Sequence, residues 1–120
     1  MLTLPIKKKW FDMILSGEKK EEYREIKPYW TKRFKTRCLL FNHEMTKEEM
    51  NYLCINEESM STYVIFKNGY GTDSPKIKCK VKIFTGQGKP EWGAEPDKEY
   101  YVLKILSVEE VSKWIWIKGK

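Results

Sequence analysis

Between Lys76 and Phe84 the chain alternates without a fault. Ile77, Cys79, Val81 and Ile83 are apolar, while Lys76, Lys78, Lys80 and Lys82 carry charge. Successive side chains of a strand point to opposite faces, so this run predicts a β-strand with one face on a core and one turned outward. A helix would scatter the same residues around its axis. The chain is therefore committed to a sheet, and the sheet to something that covers its apolar face.

Other segments fit that commitment. Leu2 to Pro5, Lys20 to Ile26, Arg37 to Phe41, Tyr63 to Lys67 and Tyr100 to Leu106 read as strands. Asn68-Gly69-Tyr70-Gly71 has the chemistry of a turn. Ile6, Trp10, Phe11, Ile14 and Leu15 recur at helical spacing against Lys7, Lys8, Lys9 and Asp12. Gly17 follows, where a helix can end in a left-handed residue. Pro28 opens a second short helix, with Trp30 and Phe34 opposite Lys32, Arg33 and Lys35. Thr46 and Glu49 form a capping box for a third helix with Met50, Leu53 and Cys54 as its apolar stripe. Ser107 and Glu110 suggest a final helical turn over 107–113. Several strands with short helices between them predict an α+β fold built on a small, mostly antiparallel β-barrel. No linker or repeat divides residues 1–120, so a single domain is expected.

The chain carries 23 basic and 17 acidic residues, a net charge of +6, compatible with a polyanionic partner. No apolar run approaches the roughly 20 residues that span a bilayer. The lysines at 7–9 follow the first apolar residues, the reverse of a secretory signal, and a cytoplasmic protein without membrane contact is the expectation. Cys38, Cys54 and Cys79 are far apart in apolar contexts and read as buried free thiols. With His43 as the one histidine there is no cluster for a metal, and no cofactor is expected.

The segment Gly17-Glu18-Lys19-Lys20-Glu21-Glu22-Tyr23-Arg24 concentrates chemistry where a helix gives way to a strand. Lys19 sits just past the helix end, where the dipole favours a cation. On a strand Glu22 and Arg24 point to the same face. A carboxylate between two cations stays ionised, and the arginine fork can hold it while offering other donors to a phosphate or base edge. The same spacing also suits a structural ion-pair network tying helix to strand.

Gly17, Lys19, Glu22 and Arg24 fill the pattern G-x-K-x-x-E-x-R, and the chain resembles the ASCH domains that carry this signature. The resemblance extends to Val64-Ile65-Phe66-Lys67-Asn68-Gly69-Tyr70 and to the loop Gly86 to Pro96 running into Glu99-Tyr100-Tyr101-Val102, covering most of Leu2 to about Leu106. It implies a PUA-like fold, a small β-barrel with peripheral helices around a basic cleft, and binding of RNA or a nucleotide there. Some small members are amidohydrolases on acetylated cytidine, using the motif lysine, a threonine three positions later and a separate glutamate. Here the threonine position holds Glu22, which cannot act as a hydroxyl nucleophile.

Further signals have two readings each. The lysine row at 76–82 could track a phosphate backbone, or form the solvated face of a strand and discourage edge pairing. Trp92, among Gly86, Gly88, Gly93, Pro90 and Pro96, could stack on a base from a mobile flap, or fold back and plug the barrel. Glu91 and Glu95 are candidate general bases or plain solvated residues. Tyr29 and Trp30 precede Lys32, Arg33, Lys35 and Arg37, an aromatic and basic mixture suited to nucleic acid, or to a helix capping the core. Trp114 and Trp116 could contact a protein partner or pack on the barrel.

The expected function is binding of RNA, a nucleotide or a nucleoside through Gly17, Lys19, Glu22, Arg24, Tyr29 and Trp92. Lys19 and Arg24 would take phosphate or base edges, and Trp92 or Tyr29 would stack. The alternative is hydrolysis of a modified nucleoside or RNA, with Lys19 and Glu22 catalytic.

Overall fold

A computed structural model of the chain describes residues 2–35 and 43–112. Arg37 to Phe41, Cys38 and the Trp114/Trp116 region lie outside the described residues. Five strands form one sheet: β1 (Leu2–Pro5), β2 (Glu21–Glu25), β3 (Ser61–Lys67), β4 (Lys76–Gln87) and β5 (Glu99–Val111), in the spatial order β1-β3-β4-β5-β2. β1 runs parallel to β3; the other three pairings are antiparallel. The sheet curls into a half-barrel, with α1 (Lys8–Leu15), α2 (Pro28–Lys35) and α3 (Lys47–Tyr52) between its strands.

The alternation in β4 is realised as read: Ile77, Cys79, Val81 and Ile83 are all buried in the main core. They meet Leu2, Leu4, Val64, Phe66, Tyr101 and Leu103 from neighbouring strands, and Phe11, Ile14 and Phe34 from α1 and α2. From Ile83 onward both faces of the sheet are covered. Phe84, Tyr23, Tyr100, Val102 and Ala94 form a second cluster on the opposite face, with Trp92 against it.

The lysines opposite the core stripe are engaged at close range. Lys82 is itself buried, with Glu44 and Glu57 at 3.2 and 3.3 Å, and Lys80 pairs with Glu58 at 2.7 Å. Lys78 lies 4.8 Å from the centre of the Tyr63 ring. At Lys80 and Lys82 the row is neither the solvated strand face nor the open phosphate track considered from sequence, because Glu44, Glu57 and Glu58 pair with them.

Three local expectations give way. The helical turn over 107–113 is strand: β5 continues to Val111, paired with β4 up to Ile77. Its β-branched residues gain a long ladder that a capping box cannot match, and Ser107 Oγ bonds the Glu109 carboxylate instead. The register skips Leu106 and Glu109 on β5, bulges that add twist where the sheet curls. α3 has its capping box, Thr46 with Glu49, but buries none of its residues, and Leu53 is exposed. Met45 and Met60, on either side, take the buried positions. Cys54, read as a buried thiol, is exposed just past that helix, whereas Cys79 is buried.

Candidate functional site

The Gly-Lys-Glu-Arg segment sits where the half-barrel fails to close. Gly17 ends α1 at φ +85°, the left-handed conformation expected of it, and turns the chain toward β2. Lys19 N bonds the Met13 carbonyl at 2.9 Å, which folds the lysine back under the helix. β2 is an edge strand paired only with β5, placing Glu22 opposite Leu103 and Arg24 opposite Tyr101. Glu22 and Arg24 therefore share the core side of the sheet, at its rim. Tyr23, between them, joins the second cluster on the other face.

Lys19, Glu22 and Arg24 form one ion-paired triad. Lys19 Nζ lies 3.2 Å from Glu22 Oε1, and Arg24 Nη1 donates to Glu22 Oε2. Both carboxylate oxygens are thus engaged. Lys19 also donates to the Trp92 carbonyl at 2.5 Å, with its ammonium 4.7 Å from the Trp10 ring centre and 5.0 Å from that of Tyr23. Burial pushes the Lys19 pKa down, because the ammonium is stripped of water; the Glu22 carboxylate opposes that shift without cancelling it.

Arg24 Nη1 also donates to the Tyr23 carbonyl at 3.0 Å, and Nη2 to the Pro5 carbonyl at 2.8 Å. A guanidinium has five N–H groups. Three are accounted for, so two have no acceptor among the described residues. The plane also lies 5.3 Å from the Trp30 ring centre.

Above the triad opens a cleft of about 330 Å³, lined by Pro5 at the end of β1 with Ile6 and Lys7 after it, by Glu22 to Glu25 of β2, and by Trp10, Trp92, Gly93 and Tyr100. Lysines attend both indoles, Lys9 at 4.6 Å from Trp10 and Lys89 at 4.6 Å from Trp92. The Trp92 loop is fastened rather than loose. Tyr23 Oη accepts from Lys89 N at 2.9 Å, and Tyr100 Oη accepts from Glu95 N at 3.0 Å. Gly93, at φ +102°, lies so close to Trp10 that a Cβ there would meet the indole at 3.0 Å. Trp92, half-buried, packs against the second cluster and also lines the cleft.

Of the sequence candidates, Glu22, Arg24 and Trp92 line the cleft. Lys19 does not: its side chain is 0% exposed and stands behind Glu22 as a support for the floor and the loop. The direct phosphate or base contact expected of Lys19 is corrected accordingly, because the helix end folds the chain inward there. Gly17 is a backbone hinge outside the lining, and Tyr29 lies on α2, beside Trp30. Glu91 and Glu95 do not line the cleft, and Glu95 pairs with Lys98 at 3.3 Å. His43 is exposed and contacts Glu49 at 2.8 Å. The lining residues missed from sequence include Lys7, Trp10 and Tyr100. Trp10 reads as a core position in the helical stripe, and only its distance from the Trp92 loop, a non-local fact, places it on the wall.

Among the described residues no group of His, Cys, Asp and Glu could hold a metal, and no helix is long and apolar enough to cross a membrane. Comparison with protein-family models, curated proteins and solved structures finds no match to this chain.

Proposed function

We propose that the cleft binds RNA or a nucleotide, with an anionic group held at Arg24 and a base against the indoles of Trp10 and Trp92. The observation that carries this reading is the charge of the floor. Two cations, buried Lys19 and partly exposed Arg24, share the one buried carboxylate of Glu22, so the triad has a surplus positive charge. Surplus charge held largely out of water is costly unless an opposite charge joins it. Arg24 lines the cleft and has two unengaged donors, a chemistry suited to phosphate. The neighbouring indoles supply sequence-tolerant stacking surfaces.

The signature residues and the curled sheet agree with membership of the PUA-like ASCH domains, in which the half-barrel would be the incomplete form of a small barrel around a basic cleft. The hydrolase alternative has less support. Lys19 has no face on the cleft, and both oxygens of Glu22 are occupied by cations, which leaves no poised base at the floor.

The test is fluorescence anisotropy of a short labelled single-stranded RNA over a salt series, with the intrinsic tryptophan signal read in parallel. Wild type should bind with a steep salt dependence and quench tryptophan emission. Arg24→Lys, which keeps the charge and loses the fork, should weaken binding by about tenfold. Equal, weak binding by both proteins without tryptophan quenching would sink the proposal.

A further inference from the structure

A contact path leads out of the cleft. Arg24 lies over Trp30; Trp30 meets Tyr29 edge-on with ring centres 4.8 Å apart; and the Arg33 guanidinium lies 3.4 Å from the centre of the Tyr29 ring. Tyr29 is 56% exposed although Trp30 and Arg33 pack against its ring. From 27 to 35 the chain carries Lys27, Lys32, Arg33 and Lys35 and no acidic residue, and of these Lys27 pairs with Glu25 of β2 at 3.5 Å.

This outer station is held rigidly. Trp30 stacks on Phe34 at 5.6 Å, Phe34 meets Tyr101 edge-on at 5.2 Å, and Thr31 Oγ1 bonds the Tyr101 hydroxyl. Tyr101 is the register partner of Arg24, so the strand that sets the cleft floor also sets α2. Arg33 Nη1 donates to the Tyr29 carbonyl at 2.8 Å, which fixes the guanidinium against the ring.

We infer that α2 provides a second subsite, continuous with the cleft, in which Tyr29 and Arg33 receive the next nucleotide of a single-stranded nucleic acid. The inference rests on the cleft reading above and deepens it: the ligand is a strand and not a free nucleotide. Two features favour a strand. The exposed Tyr29 ring lies two contacts from Arg24, through Trp30, and outside the cleft lining, so a ligand that reaches both extends past the cleft. The acid-free cationic segment complements a phosphate backbone that continues past the cleft. Stacked tyrosine and arginine planes are surfaces on which unpaired bases pack.

The experiment compares two probes, a nucleoside 5′-monophosphate and a five-nucleotide single strand in RNA and DNA forms, on wild type, Tyr29→Ala, Tyr29→Phe and Arg33→Gln. The pentanucleotide should bind wild type more tightly than the monophosphate. Tyr29→Ala should weaken the pentanucleotide by about tenfold, with the monophosphate unchanged; that unchanged affinity also reports an intact fold. Tyr29→Phe should retain binding, and Arg33→Gln should lower the salt slope by about 0.7.

If the monophosphate binds and the pentanucleotide gains nothing from Tyr29 or Arg33, the second subsite is overturned while the cleft reading stands. If both probes weaken together in Tyr29→Ala, the residue serves the fold and the subsite is likewise overturned. If neither probe binds wild type, the cleft reading itself has failed. Tyr29-dependent binding of an acidic peptide in place of the oligonucleotides would assign the surface to a protein partner and overturn the proposal.

Discussion

Arg24 reaches from β2 to the Pro5 carbonyl at the end of β1, at 2.8 Å. These strands are the two outer edges of the sheet, and in a closed barrel edge strands pair through their backbones. Here one guanidinium bridges the gap instead, and the cleft is the space a backbone ladder would have filled. The same side chain therefore closes the architecture and leaves donors for a ligand. That dual position makes the triad a target for stability measurements as much as for binding ones.

Removing the shared carboxylate should be the most damaging change to the triad. Glu22→Ala leaves buried Lys19 without its carboxylate and beside the like charge of Arg24, and a loss of about 3–5 kcal/mol is expected. Lys19→Met should cost less, because Glu22 keeps Arg24 and the methionine can lie between the Trp10 and Tyr23 rings. Urea denaturation of the two variants checks the order; a larger loss for Lys19→Met would show that the Trp92 carbonyl bond matters more than the charge pairing.

Alkaline pH should separate two buried groups of opposite sign. Burial raises the Cys79 thiol from 9.0 to about 12, so the folded protein keeps a proton that the unfolded chain loses. Its contribution is intact below pH 9.0 and declines as pH rises toward 12. Lys19 is the reverse. Its folded pKa lies below the unfolded 10.5, so its contribution to stability grows as pH rises through the lowered value. Urea midpoints between pH 8 and pH 11 should fall less steeply in Cys79→Val than in wild type, and more steeply in Lys19→Met.

Thiol labelling should distinguish the two described cysteines. In a Cys38→Ser background, one equivalent of a thiol-reactive disulfide should react at once at exposed Cys54. The second, at buried Cys79, should appear only on unfolding. Immediate reaction of both would contradict the packing of β4.

The loop over the second cluster should loosen through two different substitutions. A Cβ at Gly88 would lie 2.7 Å from both the Tyr23 ring and the Ala94 Cβ, so Gly88→Ala should cost about 1–3 kcal/mol. Tyr23→Phe removes the acceptor of the Lys89 amide and should cost a similar amount, about 1–3 kcal/mol. Hydrogen exchange at the Lys89 amide reads the second case directly, and unchanged protection would refute the anchoring role.

The local grammar of the chain was legible in advance. The β4 alternation, the left-handed Gly17, the Pro28 helix start and the Thr46–Glu49 cap all follow from near neighbours. What sequence reasoning missed depends on residues far apart. The Lys80 and Lys82 ammoniums look solvated until Glu58, Glu44 and Glu57 are folded over them. The Ser107–Glu110 spacing suggests a cap until β4 offers a ladder. At the site, Glu22 and Arg24 were visible as a same-face pair. The burial of Lys19, and the roles of Trp10 and Lys7, arise only when the Trp92 loop and the end of β1 converge.

The strand order has a consequence for how the molecule comes into being. Leu2 pairs opposite Val64, and Glu22 opposite Leu103, so the two edge strands that flank the cleft, β1 and β2, dock on partners far along the chain. Closing such distant contacts is slow. During synthesis the N-terminal segments leave the ribosome first, yet the cleft cannot assemble until β5 has emerged to receive β2. Until then Glu22 and Arg24 have no strand to pair with.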